Sequence, residues 1–217
     1  VASDAPTTLL WVRHGEADNN REKRFGGWTD LALTELGRRQ AEAVASAVAA
    51  LSPTAIITSD LARAAQTADA IARATQIPVA VDRDLRERSL GVFDGLTFVE
   101  AQAREPALYD RMVARDPDAV PTDGETLAAV FARVSSAIDR AVAAHPGGRV
   151  VMVSHGVALY HAFAHVCGLG QPNPAHQLFT LVDNASLSMV EHRTIDGAAR
   201  WRLVAWNRID HLNRLET

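Results

Sequence analysis

Cys167 is the only cysteine, so the chain has no partner for an intrachain disulfide and cannot build a cysteine-based zinc cluster. Lysine is as scarce: Lys23 stands alone, and arginine carries the rest of the positive charge. No apolar run approaches the ~20 residues that span a bilayer. The opening Val1-Ala2-Ser3-Asp4-Ala5-Pro6 lacks the basic start and apolar stretch of a secretory leader. A cytoplasmic location is expected, with a removed leader left open because the first residue is not Met. Basic and acidic residues are interspersed and the net charge is −4. That balance gives no reason to expect nucleic acid or a membrane surface as partner. A local basic pocket remains compatible with it.

What is present is an alternation of apolar strands and alanine-rich helices. At 217 residues and 47% hydrophobic content, the chain is most economically a single α/β domain, residues 1–217. Leu9 to Arg13, Ala55 to Thr58, Pro78 to Val81 and Val150 to Val153 read as strands. Helices are predicted from Thr34, as cap, to about Leu51, from Ser59-Asp60 to Thr75, from Glu125 to Ala144, and from Val157 to about Cys167. Ser186 to His192 and Trp201 to Trp206 read as two strands joined at Asp196-Gly197, after a Pro-rich turn at Gln171-Pro172-Asn173-Pro174. This order implies three layers, a mostly parallel central sheet with helices on both faces. Pro106, Pro117 and Pro121 interrupt residues 96–124, the expected lid insertion over the sheet edge.

Two strands end alike. Leu9-Leu10-Trp11-Val12 runs into Arg13-His14-Gly15-Glu16, and Val150-Val151-Met152-Val153 into Ser154-His155-Gly156. Parallel strands with these endings place two imidazoles at one sheet edge, where open α/β proteins bind ligands. Gly15 and Gly156 allow a tight turn and a close backbone approach to an anion. Arg13 needs an anionic partner if buried there. Arg63, on the first turn of the helix after Thr58-Ser59, is either a solvated residue or a second fork for the same anion. Glu87, in Leu85-Arg86-Glu87-Arg88-Ser89-Leu90-Gly91, is either a salt-bridged carboxylate or the proton donor that an alkoxide leaving group requires.

Taken in order, these pieces resemble the histidine phosphatase superfamily, the phosphoglycerate mutase-like fold, over nearly the whole chain. Carrying the resemblance are Arg13-His14-Gly15-Glu16, Asn20, Ser59-Asp60-Leu61-Ala62-Arg63 with the following Ala64 to Ala68, Leu85-Arg86-Glu87, Gly124-Glu125-Thr126 and Ser154-His155-Gly156. The resemblance implies His14 as nucleophile, forming a phosphohistidine. It implies Arg13, Arg63, His155 and Asn20 as the phosphate pocket, with Gly26 and Gly156 on its backbone side. Glu87 is then the acid for the leaving group and the base for water. No metal and no cofactor are implied. Glu16 acts at most as a helper that fixes Arg13 or the loop. A neutral His14 is expected between the arginines, with a backbone carbonyl holding its other nitrogen, and a protonated His155 is expected to add positive charge. Leu90 and Phe93, with bound phosphate, are expected to keep Glu87 protonated.

Arg24-Phe25-Gly26-Gly27-Trp28-Thr29-Asp30 is similar to the mutase branch, with Gly26 in place of a threonine. Mutases, however, carry Glu-Arg-His-Tyr-Gly around the acid, where this chain has Glu87-Arg88-Ser89-Leu90-Gly91. Leucine cannot replace the tyrosine hydroxyl, and Asp94 stands where phosphatases commonly have Glu. The expected activity is therefore a metal-independent phosphomonoesterase acting on a small phosphorylated metabolite. The alternatives are a 2,3-bisphosphoglycerate-dependent mutase and a weakly active regulator that binds a phosphorylated ligand; a homodimer is left open. Phe25, Trp28, Phe98, Tyr109 and Met112 are candidates for the pocket mouth, with lid packing the alternative for Tyr109 and Met112. His161 and His165, four apart on one helix, are read as a structural or surface pair because no Glu accompanies them.

Overall fold

A computed structural model describes residues 5–171, 173, 180–196, 198–213 and 215. Six strands form one sheet in the order β3-β2-β4-β1-β5-β6. These are β1 (Thr7–Arg13), β2 (Ala55–Thr58), β3 (Val79–Val81), β4 (Arg149–Ser154), β5 (Leu187–Ile195) and β6 (Ala198–Arg208). The first four run parallel; β5 is antiparallel to β1 and β6 to β5. Alternation along the strands feeds two cores. Leu10, Val12, Val151 and Val153 face α2 (Glu35–Ala49) and α3 (Ala62–Thr75). Leu9, Trp11, Val150 and Met152 face α6 (Leu127–Ala144) and α7 (Gly156–Val166). The fold is thus the expected three-layer α/β arrangement. Fully burying each such side chain contributes about 1.5–3 kcal/mol.

Helix starts differ from prediction where a distant residue supplies the cap. Thr34 caps α2 as expected, its Oγ1 accepting from the Gly37 N–H at 3.0 Å. But α3 opens at Ala62 because Asp30, from another loop, accepts the Ala62 N–H at 2.8 Å. α6 opens after Thr126, whose Oγ1 accepts the Ala129 N–H at 3.0 Å, leaving Glu125 free for other partners. Residues 96–124 contain α4 (Phe98–Arg104) and α5 (Pro106–Val113), with Pro106 starting the second. They pack Leu108, Tyr109 and Met112 with Phe25 against a small core of Leu90, Phe93 and Ala101. Phe25, Tyr109 and Met112 are therefore partly buried in this cluster. Of the predicted joints, Gly197, Pro172 and Pro174 lie outside the described residues.

Candidate active site

The β1–β4 register pairs Val12 with Val153 and Arg13 with Ser154. Continuing it by one residue brings His14 beside His155, their ring centroids 5.0 Å apart. Both rings are buried. His14 Nδ1 lies 2.7 Å from the Gly15 carbonyl. A carbonyl only accepts, so Nδ1 carries the hydrogen and Nε2 keeps its lone pair. Burial, then the Arg63 and Arg13 guanidiniums, push His14 well below the usual histidine range. The neutral imidazole expected at this position is what the geometry provides.

His155 corrects an expectation. Burial, then Arg63, His14 and Arg13, push it well down as well, so it is not the protonated ring anticipated. Its Nε2 lies 2.8 Å from Ser59 Oγ, and that hydroxyl also accepts the Leu61 N–H at 3.3 Å. A neutral ring accepting the Ser59 O–H carries its proton on Nδ1, a buried atom with no partner. His155 thus offers a hydrogen-bond donor without a charge.

Arg63 is buried on the first turn of α3, which settles the choice left open by its spacing. Its Nη1 donates to the Thr29 carbonyl at 2.9 Å and its Nη2 to the Gly27 carbonyl at 2.8 Å. Its Nε is buried without a partner. Arg13 donates through Nη1 to the Val182 carbonyl, and its Nε is likewise buried and unpaired. Burial lowers both guanidiniums, with Glu87 opposing in each case. A buried guanidinium atom with nothing to bind is costly unless an acceptor is meant to arrive.

Glu87 reaches the same place from the segment after β3. Its carboxylate accepts the Val157 N–H of α7 at 3.1 Å and the Arg88 N–H at 2.9 Å. A side chain built on Gly156 would lie 3.7 Å from Glu87 Oε2 and 3.9 Å from Arg13 Cζ, so both flank the first turn of α7. Leu90 and Phe93 pack with Ala101 in a small apolar cluster. Glu87 is held by polar partners. Arg133 donates to its carbonyl at 2.9 Å and also grips the Asp84 and Arg86 carbonyls and both Glu125 oxygens.

The remaining predicted residues divide. Asn20 closes the His14 loop: its Oδ1 accepts from Ala17 N–H and from Asn184 Nδ2, and Asn184 also donates to the His14 carbonyl at 3.1 Å. Both bonds fall on Oδ1 and neither uses the Nδ2 end. Gly26 lies against Arg63, where an added Cβ would stand 3.7 Å from Nη2 and clash with Asn19 at 2.6 Å. Gly15 is corrected: its close approach is to the Gly37 carbonyl of α2, 2.4 Å from an added Cβ, so it serves helix packing and not an anion. Glu16 fixes the loop, not Arg13, by accepting the Thr34 hydroxyl at 2.7 Å. His161 is fully buried and His165 pairs with Asp139 at 3.3 Å. Asn184, Ser59 and Arg133 went unnoticed in the sequence as site residues.

An imidazole nitrogen with its lone pair free, three buried unpaired donors and a carboxylate close together suit the handling of a phosphoryl group. The residue pattern of the histidine phosphatase superfamily (branch 1) matches residues 9–209. The chain is 36% identical over 206 residues to a protein of Mycobacterium tuberculosis described as bifunctional, covering 94% of this chain and 55% of that one. It thus spans little more than half of that relative's length. It is 32% identical over 207 residues to phosphoglycerate mutase-like protein 4 of Arabidopsis thaliana, covering 94% and 86%. The solved structure of mycobacterial glucosyl-3-phosphoglycerate phosphatase with vanadate superposes with a TM-score of 0.83 at 34% identity, covering 94% and 100%. With its sheet order, its paired histidines and this match over nearly all its length, the chain belongs to the histidine phosphatase superfamily.

Proposed function

We propose that this protein is a metal-independent phosphomonoesterase that hydrolyses a small phosphorylated metabolite through a phosphohistidine on His14. The observation that carries the reading is the His14 ring, tied through Nδ1 to Gly15 with Nε2 left basic among unpaired guanidinium nitrogens. In the first step, Nε2 bonds to phosphorus as the ester P–O bond breaks, and Glu87 passes its proton to the leaving oxygen. In the second, water gives a proton to Glu87, its oxygen bonds to phosphorus and the P–N bond breaks, returning neutral imidazole. Arg13, Arg63 and the Nδ1–H of His155 match the charge on the equatorial oxygens throughout. Asn20 adds a further donor, and the backbone at Gly26 and Gly156 lets the phosphate lie close. In this reading residues 96–124 form a lid on a single catalytic domain.

Hydrolysis is favoured over mutase action by Leu90, which is packed into the lid core and offers no hydroxyl to hold a glycerate. The phosphatase named among the structural neighbours supports a small phosphorylated metabolite as substrate. Rapid-quench labelling with ³²P-substrate should leave acid-labile, base-stable label on the wild type and none on His14→Ala, which should not turn over. Hydrolysis of p-nitrophenyl phosphate should persist in excess EDTA. Normal turnover by His14→Ala, or a requirement for added Mg²⁺ or Zn²⁺, rejects the mechanism.

A further inference from the structure

Trp28 is exposed to 41%, yet it is fixed on three sides. Its indole Nε1–H donates to the Glu87 carbonyl at 2.7 Å. Its backbone N–H donates to Asp94 Oδ2 at 3.0 Å, while Asp94 Oδ1 accepts the Leu90 N–H at 3.0 Å. The Arg86 guanidinium lies over the ring, 4.7 Å from its centroid, and is itself locked by two bonds of 2.6 Å to Asp60. Gly27, at φ +40, is required beside it, because a Cβ there would fall 1.6 Å from Asp94 Oδ1. An exposed aromatic ring normally gains little from being held; here every contact converges on the segment that bears Glu87.

We propose that Trp28 is a positioning residue for proton transfer, its indole N–H fixing the main chain of Glu87 together with Arg133. The inference rests on the reading of Glu87 as the acid. Arg133 and Trp28 donate to the same carbonyl, at 2.9 and 2.7 Å, so the Glu87 backbone is held from α6 and from the loop that also supplies the Gly27 and Thr29 carbonyls to Arg63. Trp28 thereby links the phosphate side of the pocket to the leaving-group side. Losing its N–H frees one end of Glu87 and lengthens the path of the proton to the departing oxygen, without touching the phosphate donors.

The test is leaving-group dependence, which a general loss of structure does not mimic. On Trp28→Phe, which keeps a ring beneath Arg86 but has no N–H, kcat/KM should fall about tenfold for p-methylphenyl phosphate and less than about twofold for p-nitrophenyl phosphate, whose phenolate leaves without help. Glu87→Gln should show the same selectivity with a larger loss, and Asp94→Asn, a second variant, the same with a smaller one. Equal losses on both esters in Trp28→Phe and Asp94→Asn, beside a selective Glu87→Gln, overturn the role of Trp28 alone. A Glu87→Gln variant without selectivity overturns the acid assignment, and the inference with it.

Discussion

Arg13, at the end of β1, and Arg63, on the first turn of α3, contrast with Arg88 and Arg133, on either side of Glu125. The second pair is fully employed: Arg88 donates to the Glu125 and Ala119 carbonyls and Arg133 makes five hydrogen bonds. In the pocket, each arginine keeps a buried Nε without a partner, as does His155 at Nδ1. The same side chain builds structure where carbonyls surround it and waits for a ligand where they do not. Sequence type does not separate these uses; satisfaction of the donors does.

The largest effect is expected on the employed side. Arg133→Met removes five hydrogen bonds and leaves Glu125 without its guanidinium partner. Ser89 N–H still reaches Glu125 Oε2 and Trp28 the Glu87 carbonyl, but breaking a buried pair in this way costs about 3–5 kcal/mol. Urea unfolding should show that loss. A variant as stable as wild type would mean that the second pair is not structural. On the waiting side, Arg13→Met should lower kcat/KM about a hundredfold, the usual cost of one lost transition-state donor, with a loss in unfolding free energy of only about 1 kcal/mol, because the bond to the Val182 carbonyl goes but no Nε bond is broken. If Arg13→Met were destabilised like Arg133→Met, the contrast between the two regions would fail.

The strands and their two faces were legible because alternating apolar residues at β1 and β4 leave no other packing. His14 and His155 were legible because parallel register carries one strand end to the next, whereas helix spacing alone left Arg63 open between solvent and pocket. The clamps on Glu87 and on the His14 loop were not legible: Arg133 reaches the Glu87 carbonyl 46 residues away and Asn184 the His14 carbonyl 170 residues away, and main-chain acceptors leave no residue pattern to read. The charge of His155 was misjudged for a related reason. Spacing places the ring near an anion site, but its burial, which decides its protonation, emerges only from packing.

His161 is the exception on the employed side, and it yields the next effect. It is buried between Phe131 and Tyr160 with both ring nitrogens unpaired. Burial, then Arg88 and Arg133, push it down to about 3. Above pH 6.5 neither the folded nor the unfolded chain protonates it, so it contributes nothing there. As pH falls, the unfolded chain gains a proton that the folded one refuses, and stability is lost until about pH 3. Between pH 7 and pH 5 the loss should be about 2 kcal/mol, and His161→Leu should remove that part of the acid limb. An unchanged limb would show that His161 finds a partner in solution.

The smallest expected effect lies close to His14. Glu16 shares the motif with His14, but its Oε1 accepts the Thr34 hydroxyl, whose oxygen caps α2. A glutamine carbonyl accepts that bond as well, so Glu16→Gln should leave kcat/KM within about twofold, whereas Thr34→Ala, which loses the cap, should cost about 1 kcal/mol in stability. A large activity loss in Glu16→Gln would place its charge in the pocket and move Glu16 from the employed group to the waiting one. Silence in both activity and unfolding would confine the chemistry of the motif to Arg13 and His14, two positions before a carboxylate that only ties the loop to a helix.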